Sequence, residues 1–246
     1  MRTLFIIVTV IIVFIAGVVS QLPLAFVVAP LGQVVDLGEV RGTIWDGEIR
    51  DIRVNGQPVG DAAVKLKFLP LLQGRGEGEL SFSGSGLEGS GTASFDGDLI
   101  VLEDAAGQAD LARFGLVDAF DQTLRGTVDA EIERLAFSLE EGCREARLTA
   151  ETDALSRSLG VYADRGFLMA GTGYCDGDVL VLPLEGEGDE AALRAELRLD
   201  KRGRYLSRLA VEPKVEELEF VLRGYGFEER DGVFVIERGG LLEANL

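Results

Sequence analysis

Side-chain catalysis needs a nucleophile with a base, a metal set or a cofactor loop, and this 246-residue chain contains no histidine. The Ser-His-Asp, Cys-His and His-metal arrangements are therefore excluded. Its two cysteines, Cys143 and Cys175, lie 32 residues apart. They are too few for a zinc site and lack the C-x-x-C spacing of redox pairs. The 42 aspartates and glutamates could supply paired carboxylates, but nothing in their spacing singles out a buried pair. The cluster Glu185-Gly186-Glu187-Gly188-Asp189-Glu190 could attract calcium, yet it lacks the EF-hand spacing and reads as an exposed turn. Gly84-Ser85-Gly86-Leu87-Glu88-Gly89 matches G-x-G-x-x-G, but a strand pattern follows (SGTASFDGDLIV). A dinucleotide loop must open a helix instead. The residues thus point to no catalytic, metal or cofactor site.

What remains is a chain built to be placed and to be touched. Hydrophobic residues make up 47% of it and charged residues 27%, enough for a packed core. The formal net charge of −18 argues against a nucleic-acid partner, which selects a basic face. It leaves two readings, simple solubility or an acidic docking surface for a basic partner.

The positioning begins at the N-terminus. After Arg2 no charged residue occurs until Asp36, and Leu4 to Leu22 is a 19-residue stretch with only Thr9, Ser20 and Gln21 polar. As a helix it spans about 28 Å, close to the hydrocarbon thickness of a bilayer. Arg2 and the free amine place the N-terminus in the cytoplasm, and Pro23 favours a break at the far surface. The alternative is a signal peptide cleaved before Gln21, after Val18-Val19-Ser20, although the apolar run is longer than removable signals use. Both readings export the chain from about residue 24 onward. The expected organisation is a membrane anchor over 1–23 and an exported domain over 24–246.

In that exported domain an even cysteine pair suggests one disulfide, Cys143 with Cys175. Period-2 alternation is widespread, as in Val64-Leu66-Phe68 and Leu193-Ala195-Leu197-Leu199, and predicts strands with one wet face and one buried face. Asp46-Gly47, Asn55-Gly56, Asp96-Gly97, Asp176-Gly177 and Asp231-Gly232 predict hairpin turns. The 32 glycines suit turns and bulges of a many-stranded sheet. Two segments read as short helices: Asp110–Phe120, a cover on the sheet with Asp110 as N-cap, and Pro213–Leu222, followed by a hairpin over Phe227–Glu237. The fold class is mainly β: a transmembrane helix plus a glycine-rich, curved antiparallel sheet with one or two short helices. Arg41-Gly42-Thr43-Ile44 returns as Arg125-Gly126-Thr127-Val128, and Asp96–Leu102 returns as Asp176–Leu182. Two tandem units near 36–122 and 123–246 would account for this, as would chance reuse of glycine turns.

One local element stands out, Val40-Arg41-Gly42-Thr43-Ile44-Trp45-Asp46-Gly47, which contains the only tryptophan. Trp45 suits either turn packing or partner contact.

These residues resemble protein N of the type II (general) secretion pathway. The likeness lies in a single N-terminal anchor and a G-T-(V/I)-W-D-G element, here Gly42 to Gly47 with Trp45 and Asp46 inside it. It continues through Gly56-Gln57-Pro58-Val59-Gly60 and Val64 to Pro70, then Leu71-Leu72-Gln73-Gly74-Arg75. Pro213, the leucine-bearing helix, Gly226 and Asp231-Gly232-Val233-Phe234 are similar to that family's ending. The resemblance implies a non-enzymatic accessory component without cofactors, anchored in the bacterial inner membrane with its C-terminal domain in the periplasm. Its partners would be other inner-membrane components of the secretion machinery. The repetitive strands also resemble AsmA-like envelope proteins, which would instead imply a β groove that handles lipid.

Overall fold

The computed structural model describes residues 21–29, 36–54, 56–84, 86–114, 123–157 and 167–241. Residues 1–20, most of the expected membrane span, lie outside them, as do 115–122, the second half of the expected Asp110–Phe120 helix. Among the described residues no helix is long and apolar enough to cross a membrane.

Alternating sequence makes strands here because each places one row of apolar side chains on one face. Among the described residues fourteen strands form one antiparallel sheet. They are β1 (Asp36–Thr43), β2 (Asp46–Val54), β3 (Gln57–Leu66), β4 (Gly76–Ser83), β5 (Leu87–Asp96), β6 (Leu99–Asp110) and β7 (Thr127–Ser138). The second half comprises β8 (Gly142–Thr152), β9 (Met169–Asp176), β10 (Val179–Glu187), β11 (Ala191–Leu199), β12 (Arg204–Pro213), β13 (Glu228–Arg230) and β14 (Val233–Leu241). Strand order follows chain order up to β12, which pairs with β14 and leaves β13 outermost. The sheet is not closed, and β1 and β13 are its edges.

The turns refine the Asp-Gly expectation. Asp231-Gly232 is the two-residue loop itself, with φ of 51° and 80°. In the β5–β6 and β9–β10 hairpins the loop is shifted by one residue to Gly97-Asp98 and Gly177-Asp178. The glycine then takes the first position, with φ of 65° and 64°, as in a II′ turn. Asp46-Gly47 is not the turn: Thr43 pairs with Asp46, so the loop is Ile44-Trp45. Asp104 (φ 48°) is a bulge residue, because Ser90 faces Ala106 whereas Thr92 faces Glu103.

Among the described residues helices are few and short: α1 (Leu24–Val28), α2 (Phe68–Leu71), α3 (Ala154–Arg157) and α4 (Glu216–Gly224). The Asp110–Phe120 expectation is corrected at its start. Asp110 ends β6 in register with Thr127, and Leu111–Phe114 form a 3₁₀ turn whose Ala112 amide donates to the Asp110 carboxylate at 3.1 Å. Likewise Pro213 closes β12 opposite Ala191, and the helix begins three residues later at Glu216. Glu216, Glu217 and Glu219 in its first turn favour the positive end of the helix dipole.

The core is divided. At one end Leu24 and Val28 of α1 pack on Ile49, Ile52, Val59 and Ala62 of β2 and β3. At the other, Leu218 and Leu222 of α4 pack with Phe227 on Leu193, Val211 and Phe234. Each end is a two-layer unit, because a sheet face must be covered to be buried.

Candidate functional site

The Gly42–Gly47 element forms a clasp on the incoming chain. Gly42 has φ of 80°, and a Cβ there would run into the Asp46 carbonyl across the turn. A Cβ at Gly47 would lie 2.6 Å from both Leu24 Cδ2 and the Thr43 carbonyl oxygen. Both glycines therefore serve backbone approach. Between them the Ile44 amide donates to the Leu22 carbonyl at 3.0 Å, and the Ile44 carbonyl accepts the Leu66 amide at 3.0 Å. Pro23 bridges to Thr43. Asp46 begins β2 and is exposed.

Trp45 sits at the tip, half-buried, with its ring centroid 5.6 Å from that of Phe68 at an interplanar angle of 58°. The tilted pairing is a favourable aromatic geometry. Phe68 opens α2, which buries none of its own residues. Phe68, Leu69 and Leu72 are 52%, 72% and 69% exposed. The sequence pattern placed Phe68 on the buried face of the Val64-Leu66-Phe68 alternation, but β3 ends at Leu66 and Phe68 turns outward at the start of α2. The available signal was the break in alternation at Phe68-Leu69-Pro70-Leu71-Leu72.

Cys143 and Cys175 form a disulfide with a Cα–Cα distance of 5.6 Å. It joins the start of β8 to β9 beyond the Leu148–Gly173 pair, where their ladder stops. The Cys143 amide also donates to the Asp178 carbonyl at 2.9 Å, docking the β9–β10 turn on β8. Strands β3 to β7 separate this staple from the clasp, so the structure does not bring the two together. Nearby, the buried Ser138 hydroxyl donates to Asp98 and accepts the Glu140 and Glu141 amides at 3.2 and 2.9 Å. The Ser138 bond above all holds the Asp98 carboxyl below the usual aspartate range.

A third feature lies mid-sheet. Gly89, Gly107, Ala130, Ala150 and Gly171 stand opposite one another across β5 to β9, so they share one face. Beside this row a groove of about 260 Å³ is lined by half-buried Leu80, Phe82, Leu87, Leu102, Val128 and Ile132. Backbone groups inside a sheet are already paired, so this face offers apolar contact and little else. Glu185 and Glu187 lie on β10, and Asp189 and Glu190 follow in its turn to β11. Among the described residues no carboxylate or cysteine cluster is arranged to hold a metal ion.

The site is therefore a set of surfaces: an open edge, an apolar tip and an apolar groove on a stapled sheet. No curated protein and no solved structure matches the chain. A family model described as type II secretion system (T2SS), protein N, matches residues 33–237. That match runs through the clasp, the disulfide and the last hairpin, and by it this chain belongs to the type II secretion system protein N family.

Proposed function

We propose that the protein is a non-enzymatic component of the type II secretion system, held in the inner membrane by Leu4–Leu22, whose periplasmic sheet docks other inner-membrane components. The observation that carries this reading is the place of β1 at the edge of the sheet. Among the described residues its inner side pairs with β2 from Asp36 to Thr43, and its outer side takes only the Pro23–Thr43 bridge. An unpaired strand edge is a template for strand addition. The charge-free N-terminal run and the disulfide support export, and family membership supports the machine. Gene deletion should leave the secreted enzymes in the periplasm, and a photoreactive residue at exposed Glu39 of β1 should crosslink to a secretion component. Unchanged secretion with the system active would overturn this function.

The exported domain reads as two related halves near 36–122 and 123–246. The recurrent Asp96–Leu102 and Asp176–Leu182 segments both form Gly-Asp turns, which supports that reading.

A lipid-handling role is a second reading, favoured by the open apolar groove between the two covered ends. A photoreactive fatty acid fed to cells should then label β4 to β7. Absence of label there, with the chain present in the membrane, would favour docking alone.

A further inference from the structure

We propose that Trp45 and the β3–β4 connection form a lipid-contact patch that rests on the anionic surface of the membrane from which the chain emerges. The inference rests on the anchored reading of Leu4–Leu22 and adds a second point of attachment to it.

Place is the first argument. Leu22, the last residue of the charge-free apolar stretch, is bonded through its carbonyl to Ile44, the neighbour of Trp45. The Ile44 carbonyl is bonded to Leu66, two residues before Phe68. Two backbone hydrogen bonds thus link the point where a span would leave the bilayer to the exposed apolar tip. A membrane helix ending at Leu22 brings the tip to the interface, with no partner protein required.

Chemistry is the second. The connection presents Phe68, Leu69 and Leu72, each more than half exposed, and Trp45 packs against Phe68. Aromatic rings with apolar neighbours favour the headgroup region. The charge there also departs from the rest of the chain. From Ala62 to Gly76 the charged residues are Lys65, Lys67 and Arg75, with no acid, in a chain of net charge −18. All three side chains are exposed. Lys67 is paired with Glu77 at 2.7 Å and Lys65 stands opposite Glu79 across β3 and β4, while Arg75, bonded to Gln73 at 2.8 Å, ends the connection ahead of the next acid in sequence, Glu77. Basic residues around an apolar tip are attracted to an anionic leaflet and fall silent at high salt.

The single tryptophan makes the test direct. The full chain is placed in nanodiscs of phosphatidylethanolamine and phosphatidylglycerol, with bromine on the lipid chains either near the headgroup or deep. The expected result is loss of Trp45 emission to shallow bromines, less loss to deep ones, and poor access for iodide. The exposed double variant Leu69→Asp/Leu72→Asp should regain the emission and the iodide access without loss of its disulfide or its strand signal. If the chain inserts but Trp45 ignores the bromines and meets iodide freely, the patch is overturned and the anchor stands. If the chain fails to insert, the anchor falls and the patch with it. If Trp45 is shielded from both quenchers and the disc holds two chains, a second copy covers the tip and the inference is overturned.

Discussion

The Leu22 carbonyl accepts the Ile44 amide at 3.0 Å, joining the end of the apolar run to the first hairpin of the sheet. The bond explains the spacing of the Gly-Thr-Ile-Trp-Asp-Gly element. Ile44 must be in the turn to turn its amide outward, Gly42 must bend the chain, and Gly47 must stay bare for Leu24 to lie down. Buried Leu24 then anchors α1 to Ile49 and Ala62.

Gly47→Ala should loosen that clasp. Its methyl would meet Leu24 and the Thr43 carbonyl at 2.6 Å, and crowding of this kind costs about 1–3 kcal/mol. Proteolysis within Leu24–Val28 should accelerate and the denaturation midpoint should fall. Gly76→Ala is the control: its nearest neighbours would be 3.9 Å away, on Phe95. Equal behaviour of the two variants would show that the clasp carries no load.

The disulfide should matter most to β8 and β9, because their ladder ends at Leu148–Gly173 and Cys143–Cys175 holds the ends beyond it. A closed loop of this length contributes roughly 3–4 kcal/mol through the unfolded state. Reductant should lower the denaturation midpoint of the natural chain and leave a Cys143→Ala/Cys175→Ala variant unmoved. Hydrogen exchange in the reduced chain should rise first near the Gly177-Asp178 turn.

Much of this architecture was legible in the sequence, for identifiable reasons. Alternation such as Leu193-Ala195-Leu197-Leu199 reports a strand wherever one face is wet, and β11 spans it. The helix after Pro213 was visible in Val215, Leu218 and Leu222, but its first residue was not. Strand pairing of Pro213 with Ala191 overrode the preference of proline for a helix start. The one-residue shift of the Gly97 and Gly177 turns was equally hidden, since register is fixed by the neighbouring strands. Of the candidate site, Trp45 was legible as a lone tryptophan. Its partner Phe68 lies 23 positions on, and only the fold brings the rings together.

Asp98 gives the sheet an acid-sensitive contact. Its carboxyl is held low chiefly by the Ser138 hydroxyl. A depressed folded value means stability that is present above the ordinary aspartate value of about 3.9 and lost as pH falls through the depressed one. The midpoint difference between the natural chain and Ser138→Ala should be full at neutral pH and shrink below about pH 4. Ser138 also accepts two amides, so a pH-independent difference should remain in strong acid. Asp98→Asn should remove the pH-dependent part alone. Urea midpoints from pH 7 down to pH 2 would check this, and parallel curves would sink it.

The divided core makes the last prediction. Leu222 and Ile49 are both buried, but in separate clusters at opposite ends of the sheet. Truncating either to alanine leaves a cavity worth about 2–5 kcal/mol. In a single closed core the damage would spread, whereas here an open run of strands lies between the two clusters. Leu222→Ala should therefore speed hydrogen exchange in α4 and β12 while β2 and β3 keep their protection. Ile49→Ala should do the reverse. The two losses should add in the double variant to within about 0.5 kcal/mol, as distant sites do. A larger coupling would mean that the middle of the sheet transmits packing between its ends, and the two ends would then have to be treated as one cooperative unit.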